Sequence, residues 1–256
     1  MTNYEAVFNR CSVRKYKMEL IPADFFRKMN KFLDRLTPLY PNIDWKFVLF
    51  NAMDDEGSTK GIFRVKAPYY LVCYTKDDPN AWKQAGYLTE QVVLYLTAHG
   101  IGTCYQGGAR AVLDDEPEGM DQRIVLAFGY PEDQLYRESG SAKRLPITDL
   151  CIFKEEPTPE ESMVLAASRL APSSINSQPW RFVVYSNRIH IFARDNLLSK
   201  VTVTRDMRDI DMGIVLYHMA LAAEELWLDA NLIYQEQLAG RSVKGNTYIM
   251  SMMIQN

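Results

Sequence analysis

Apolar positions recur at two different periods along this chain. From Ile21 to Leu36, the residues Phe25, Phe26, Met29, Phe32, Leu33 and Leu36 fall three or four apart behind Pro22, which predicts an amphipathic helix. Trp45–Phe50, Tyr69–Tyr74 and Ile124–Phe128 are short apolar runs that predict strands, the last ended by Gly129 and Pro131. The polar stretch Asn51 to Lys60 predicts a mobile loop. Ala81 to His99 predicts a helix stopped by Gly100 and Gly102. KEEPTP, residues 154–159, reads as a linker and helix start, and a helix follows over Pro159 to Leu170. Strands at Arg181–Tyr185 and Ile189–Ala193 flank a turn at Ser186–Arg188, and Asp211 to Leu228 predicts a long apolar helix.

This order repeats. RLTPLYPNIDWKFVLFN, from Arg35, and RLAPSSINSQPWRFVVYS, from Arg169, keep Arg-Leu, Pro, Trp, Phe and Val in step with one residue inserted. Later, AGYLTEQVVLYL from Ala85 resembles MGIVLYHMALAA from Met212. Each half reads as helix, strand, strand, long helix. The alternative is chance similarity between two amphipathic helix–strand units. The repeat predicts an α+β fold of two tandem halves, 1–153 and 160–256, joined by 154–159. Packed together as one globular unit, they form an intramolecular pseudo-dimer with long central helices and mixed or antiparallel sheets.

At 256 residues and 47% hydrophobic, the chain can bury a sizeable core. Its 29 Lys and Arg against 32 Asp and Glu give a formal net charge of -3, which argues against a general nucleic-acid binder. Cys11, Cys73, Cys104 and Cys151 form no CxxC pair, and they read as free thiols in a reducing cytoplasm. His99, His190 and His218 are scattered, so no His-based metal site is expected. The polar start, MTNYEAVFNRCSVRKY, is unlike a signal peptide, and the longest apolar stretches are too short to span a bilayer. A soluble, cytoplasmic protein without a membrane or nucleic-acid partner is expected.

Four segments carry candidate chemistry. Arg10-Cys11-Ser12-Val13-Arg14 brings together two guanidiniums and a hydroxyl, and a helix would set residues 10 and 14 on one face. Guanidinium is planar, always charged and donates in a fork, which suits a phosphate or an electron-rich heterocycle. A solvated basic helix start has the same composition. Ala171–Trp180, APSSINSQPW, clusters hydroxyls and amides between Pro172 and Pro179. Its Asn and Gln supply donors and acceptors for the edge of a uracil-like ring, or simply a polar connection from helix to strand. His99–Gly108, HGIGTCYQGG, has four glycines in ten residues, which lets backbone approach a flat ligand. Gly100 and Gly102 are also explained as a helix cap and turn, Gly107 and Gly108 less readily. Lys143-Arg144-Leu145-Pro146, after Gly129-Tyr130-Pro131, adds two adjacent cations that taken alone are an ordinary surface feature.

Together and in this order, the segments resemble the nitroreductase family of flavoproteins. RCSVRKY resembles that family's opening Arg-x-Ser-x-Arg motif, and APSSINSQPWRFVV its Pro-Ser-x-x-Asn-x-Gln-Pro-Trp motif, the most specific of the matches. AHGIGTCYQGG resembles its Gly-Leu-Gly-Thr loop, and AFGYP followed by KRLP its C-terminal phosphate-contacting strand. The resemblance covers most of residues 8–193 and nothing after about Leu228. One departure stands out. Family members carry the Pro-Ser-x-x-Asn motif shortly after the Arg motif, whereas here that place holds the degraded copy TPLYPNIDW. The second half lacks the Arg motif and the glycine loop. The chain is similar to a small subgroup of fused, double-repeat nitroreductases.

The resemblance implies a nitroreductase-like fold and FMN, with NADH or NADPH as electron donor. The family's homodimers bind FMN between subunits, so a fused monomer with one surviving site is implied. In that site Arg10, Ser12, Lys143 and Arg144 hold the phosphate and ribityl chain, with Cys11 inside the first motif. Arg14 faces the N1 and C2 carbonyl edge. Tyr105, Gln106, Gly107 and Gly108 form the glycine-loop wall, where backbone N–H groups near Gln106 and Gly107 reach N5 and O4. The first half supplies the Arg, glycine-loop and Lys-Arg pieces. Pro172, Ser173, Ser174 and Asn176 approach from the second half, and Gln178 either touches the flavin or holds its own loop. The implied function is ping-pong hydride transfer through FMN to a small acceptor, nitroaromatic- or quinone-like, with no catalytic side chain. The alternatives are a flavin-binding or storage protein without NAD(P)H turnover and an α/β module whose sites have decayed.

Overall fold

The computed structural model describes residues 1–54, 56–138, 140–194, 202–241 and 245–255. Asp55 of the expected loop and residues 242–244 of the C-terminal stretch lie outside them. The chain divides into two compact units, Met1–Ser141 and Ala142–Asn256.

The first unit begins with α1 (Asn3–Asn9), started by a capping box in which Thr2 and Glu5 satisfy each other's backbone N–H groups. Next come α2 (Ala23–Leu33), β1 (Trp45–Asn51), β2 (Ser58–Gly61), β3 (Tyr69–Thr75) and α3 (Ala81–Ala98). β4 (Gly102–Tyr105), β5 (Ala109–Val112) and β6 (Asp121–Gly129) follow. The antiparallel sheet runs β1-β3-β6-β4, with β2 and β5 paired as a separate ribbon. Tyr69 and Leu71 of β3, paired with Phe128 and Leu126 of β6, pack with Leu88, Val92 and Leu96 of α3. The alternate residues Tyr70, Val72, Val125 and Ala127 join a cluster with Val13 on the other face, as strand alternation requires. All seven residues of β3 are buried, which explains its unbroken apolar run.

α3 stops where expected. Gly100 adopts φ +84°, while the N–H groups of Gly100 and Ile101 return to the Thr97 and Leu96 carbonyls at 3.1 and 2.9 Å. α2 is shorter than expected at both ends. The predicted loop at 51–60 is corrected at its end: Ser58–Gly61 is strand β2, in register with Ala109–Val112. STKG carries no apolar alternation, so backbone pairing alone places it.

The second unit contains α4 (Ile147–Leu150), β7 (Cys151–Phe153), α5 (Pro159–Arg169), β8 (Trp180–Tyr185), β9 (Arg188–Arg194), α6 (Thr202–Glu225), β10 (Asp229–Ile233) and β11 (Asn246–Gln255). A second capping box, Thr158 with Glu161, and Pro159 in the first turn start α5. The sheet order is β10-β11-β9-β8-β7, and only β7 pairs in parallel. That parallel pairing of Cys151–Phe153 with Phe182–Val184 groups residues 142–153 with the second unit. The break between units therefore falls before Ala142 and not at 154–159.

The two sheets share one topology. Leaving aside β7 and the separate β2–β5 ribbon, in each, two strands pair, a long helix follows, and two more strands add in reverse order: β1-β3-β6-β4 matches β8-β9-β11-β10. The unmatched C-terminal stretch after Leu228 thus completes the second sheet. Among the described residues no helix is long and apolar enough to cross a membrane.

Candidate cofactor-binding segments

In the first unit the Arg10–Arg14 segment is extended. This corrects the helix expected there. Arg10 caps α1 with φ -61° and ψ 144°, Ser12 bridges Thr103 of β4, and the Val13 N–H donates to the Thr103 carbonyl at 2.9 Å. The sequence alternates polar and apolar residues, which is a strand's period and not a helix's. Cys11 and Val13 accordingly pack into the apolar cluster, and the Cys11 thiol donates to the Leu135 carbonyl at 3.2 Å. Arg10, Ser12 and Arg14 occupy the alternate positions. Arg10 Nη2 donates to Ser12 Oγ at 3.3 Å, and Arg14 Nη1 donates to the Ser12 carbonyl at 3.4 Å.

Arg10 is 3% exposed, and its buried Nε has no hydrogen-bond partner. No carboxylate among the described residues pairs with it. A buried cation without a counter-charge is costly. The nearby Cys104 thiol is pushed up by burial and pulled back by Arg14 and Arg10.

Gly102 was expected to help end α3. It is instead the first residue of β4, and a Cβ there would sit 2.6 Å from Val13 Cγ2, so β4 approaches the Arg segment closely only because it begins with glycine. Gly107 and Gly108 form a turn closed by the Ala109 N–H on the Gln106 carbonyl at 3.0 Å. A Cβ on Gly108 would lie 2.8 Å from the Ile62 carbonyl, so its close approach is to backbone at the end of β2. Gln106 is buried, with Nε2 donating to the Cys104 carbonyl at 3.1 Å and Oε1 accepting the Val65 N–H at 2.7 Å. Its side chain braces the loop, and Tyr105 donates to Glu90 at 2.7 Å.

Lys143 and Arg144, expected to act with the first half, lie in the second unit against the Pro-Ser motif. Arg144 Nη1 donates to Asn176 Oδ1 at 2.8 Å, Nη2 donates to the Leu170 carbonyl at 3.2 Å, and Asn176 Nδ2 donates to the Lys143 carbonyl at 3.0 Å. Lys143 itself is exposed. Gln178 Oε1 accepts the Leu145 N–H at 2.8 Å, and its own N–H donates to Ser173 Oγ at 3.0 Å, so Gln178 holds its loop together. Pro172 is buried at the loop's start.

The loop is strained. Ile175, Asn176 and Gln178 have φ of 48°, 57° and 46°, and Ile175 is 99% exposed. A non-glycine residue in this region costs roughly 1–2 kcal/mol, and such conformations persist where surroundings over-determine them. One of those surroundings is absent from the sequence reading. Asp211, in α6, accepts the Ser174 N–H at 2.9 Å and the Ser177 hydroxyl at 3.2 Å. It is buried, and burial pushes its carboxyl up to about 8 against the pull of those two donors. An aspartate within an apolar helix was the available signal.

A family model described as "Putative TM nitroreductase" matches residues 2–223. The chain is similar to the crystal structure of a "putative nitroreductase" from Thermotoga maritima MSB8, at 23% identity and TM-score 0.66, over 99% of this chain and 94% of that one. A nitroreductase family protein from Clostridium difficile 630 aligns at 12% identity and TM-score 0.45, over 61% of this chain and all (100%) of that one. An FMN-dependent nitroreductase from Clostridium difficile R20291 aligns at 16% and 0.42, over 53% of this chain and 91% of that one. No curated protein matches. The family match spans most of the chain and the Thermotoga structure shares its mixed helix-and-sheet fold: the chain belongs to the nitroreductase family.

Proposed function

We propose that this chain is an FMN-dependent oxidoreductase that takes electrons from NADH or NADPH and passes them to a small oxidised acceptor. The observation that carries this reading is Arg10, a buried guanidinium with an orphaned Nε beside the Ser12 hydroxyl. A phosphate supplies the counter-charge this group lacks and suits its forked donors. Arg10 and Ser12 would bind the phosphate and ribityl chain, the role the sequence also suggests for Lys143 and Arg144. Arg14 would place a fixed cation at the N1 and C2 carbonyl edge, where the reduced ring carries negative charge. Backbone N–H groups near Gln106 and Gly107 would serve the N5 and O4 side. Pro172, Ser173, Ser174 and Asn176 would supply further contacts to the flavin.

When bound, FMN supplies reversible two-electron chemistry between the nicotinamide and a nitroaromatic- or quinone-like acceptor. The protein binds, orients and excludes water. The unequal survival of the motifs in the two halves supports one flavin per chain, acting in a monomeric chain. The test is an absorbance titration with FMN followed by anaerobic NADH and NADPH. One equivalent bound, then bleaching, is expected. Two equivalents end the single-site reading, absence of bleaching ends the turnover reading in favour of flavin binding alone, and absence of uptake ends both.

A further inference from the structure

The two halves share a latch. Gln84 opens α3 and is buried, and its Oε1 accepts the Tyr40 N–H at 3.0 Å while Nε2 donates to the Tyr40 carbonyl at 3.2 Å. Aligning the repeat from Arg35 with that from Arg169 places Tyr40 at Ser174, and aligning Ala85 with Met212 places Gln84 at Asp211. Asp211 accepts the Ser174 N–H at 2.9 Å. So in each unit the same long-helix position captures the same amide of the loop that follows the preceding helix. A second position on the same face also ties each long helix to the segment before it, though not at matching residues. Gln91 bonds both the N–H and carbonyl of Thr37, at 3.2 and 2.8 Å, whereas its counterpart His218 bonds the Ala167 carbonyl, which aligns with Leu33, at 3.0 Å. Both pairs are seven residues apart, two helical turns, and so share one face.

The units differ at one atom type. The first uses a neutral amide, and its loop is the degraded copy. The second uses a carboxyl, and its loop is the intact Pro-Ser-Ser-Ile-Asn motif. We propose that Asp211 is the positioning residue of the Pro172–Gln178 loop, an ionisable latch that makes the loop's presentation to its ligand depend on pH. This rests on the reading of that loop as part of the flavin site.

Neutral Asp211 keeps both contacts: one oxygen accepts from Ser174 and the other exchanges a hydrogen bond with Ser177. Ionised, it is a buried charge. Burial raises its titration and the Ser174 and Ser177 bonds lower it, and no cation among the described residues adds to these causes. On α6 itself, Arg208 and Asp209 pair with each other at 3.6 Å. Glu160, Glu161 and Arg169 of α5 and Asp229 of β10, the charged groups of two elements packed on α6, are not among the causes of its shift. Water must reach the carboxylate to solvate it, and the strained loop is what gives way.

The test uses the full chain. Nuclear magnetic resonance follows the Asp211 carboxyl carbon and the protection of the Ser174 amide without ligand from pH 6 to 9, and an FMN titration covers the same range. Ser174 protection is expected to fall about tenfold or more between pH 7 and 9. The FMN Kd should rise roughly tenfold per pH unit above the midpoint. Asp211→Asn, and Asp211→Gln copied from the first repeat, should flatten both profiles. Flat wild-type profiles, or equal losses in wild type and Asp211→Asn, overturn the latch. Failure to take up FMN at any pH sinks the flavin reading alone, because the amide measurement needs no ligand.

Discussion

The Arg144 guanidinium donates to the side-chain carbonyl of Asn176 at 2.8 Å, and Asn176 returns a bond to the Lys143 backbone at 3.0 Å. Two motifs that lie far apart in sequence are thus one structural element within the second unit. A double-mutant cycle with Arg144→Ala and Asn176→Ala should give a coupling energy of about 0.5–1 kcal/mol in urea unfolding, the range for a partly exposed charge-assisted bond. Additive losses would separate the two motifs energetically.

Arg10 separates stability from binding. Replacing it with Met removes a buried cation while keeping much of its volume. The apo protein should melt at the same temperature or a few degrees higher. FMN affinity should drop at least about tenfold, as expected for losing a charge-assisted contact. Calorimetry of the apo variant beside a flavin titration checks both. A large loss of apo stability would make Arg10 a structural residue.

Gly102→Ala tests the close packing of β4 on the Arg segment. Its new Cβ meets Val13 Cγ2 at 2.6 Å, so a loss of about 1–3 kcal/mol is expected. Val13→Ala in the same chain should recover part of that loss by making room. If the double variant is simply the sum of two losses, the clash is not the cause.

The stability of the whole chain should carry the mark of Asp211. Its carboxyl titrates at about 8 in the fold, above its ordinary 3.8. A raised acid favours the folded state when protonated. Its contribution is therefore full below about pH 4 and is lost as pH rises toward 8. Melting temperatures of wild type should fall across that window relative to Asp211→Asn. A constant difference between the two would show that the carboxyl does not titrate there.

Much of the fold was legible in residues, because β3 is buried throughout, α3 is buried from Gln84 to Thr97, and their apolar runs are long. The matching strand order has its sequence sign in the Trp-x-Phe-Val register, since Trp45 opens β1 and Trp180 opens β8, the strands that correspond. β2 was not legible, because pairing with β5 and not side-chain pattern makes it a strand. At Arg10–Arg14 the spacing of two arginines suits a helix, but the alternation of all five residues is a strand's and decides the conformation. Gln178 and Gln106 carry the residue types a flavin edge uses, yet their side chains brace backbone, Gln178 at Leu145 and Asn176 and Gln106 at Val65 and Cys104. Asp211 escaped notice because an acid beside an apolar helical run usually faces solvent, and only coordinates reveal one that does not.

The matching order of the two sheets has a consequence for how such a protein can change. In an assembly of two identical chains every substitution is made twice, once on each side, so a new group must suit both places. A chain that carries both copies in one reading frame is released from that rule. Glutamine can stay at position 84 while aspartate occupies position 211, and each can be altered without the other. Two sheets of matching strand order encoded in one chain are thereby free to diverge residue by residue.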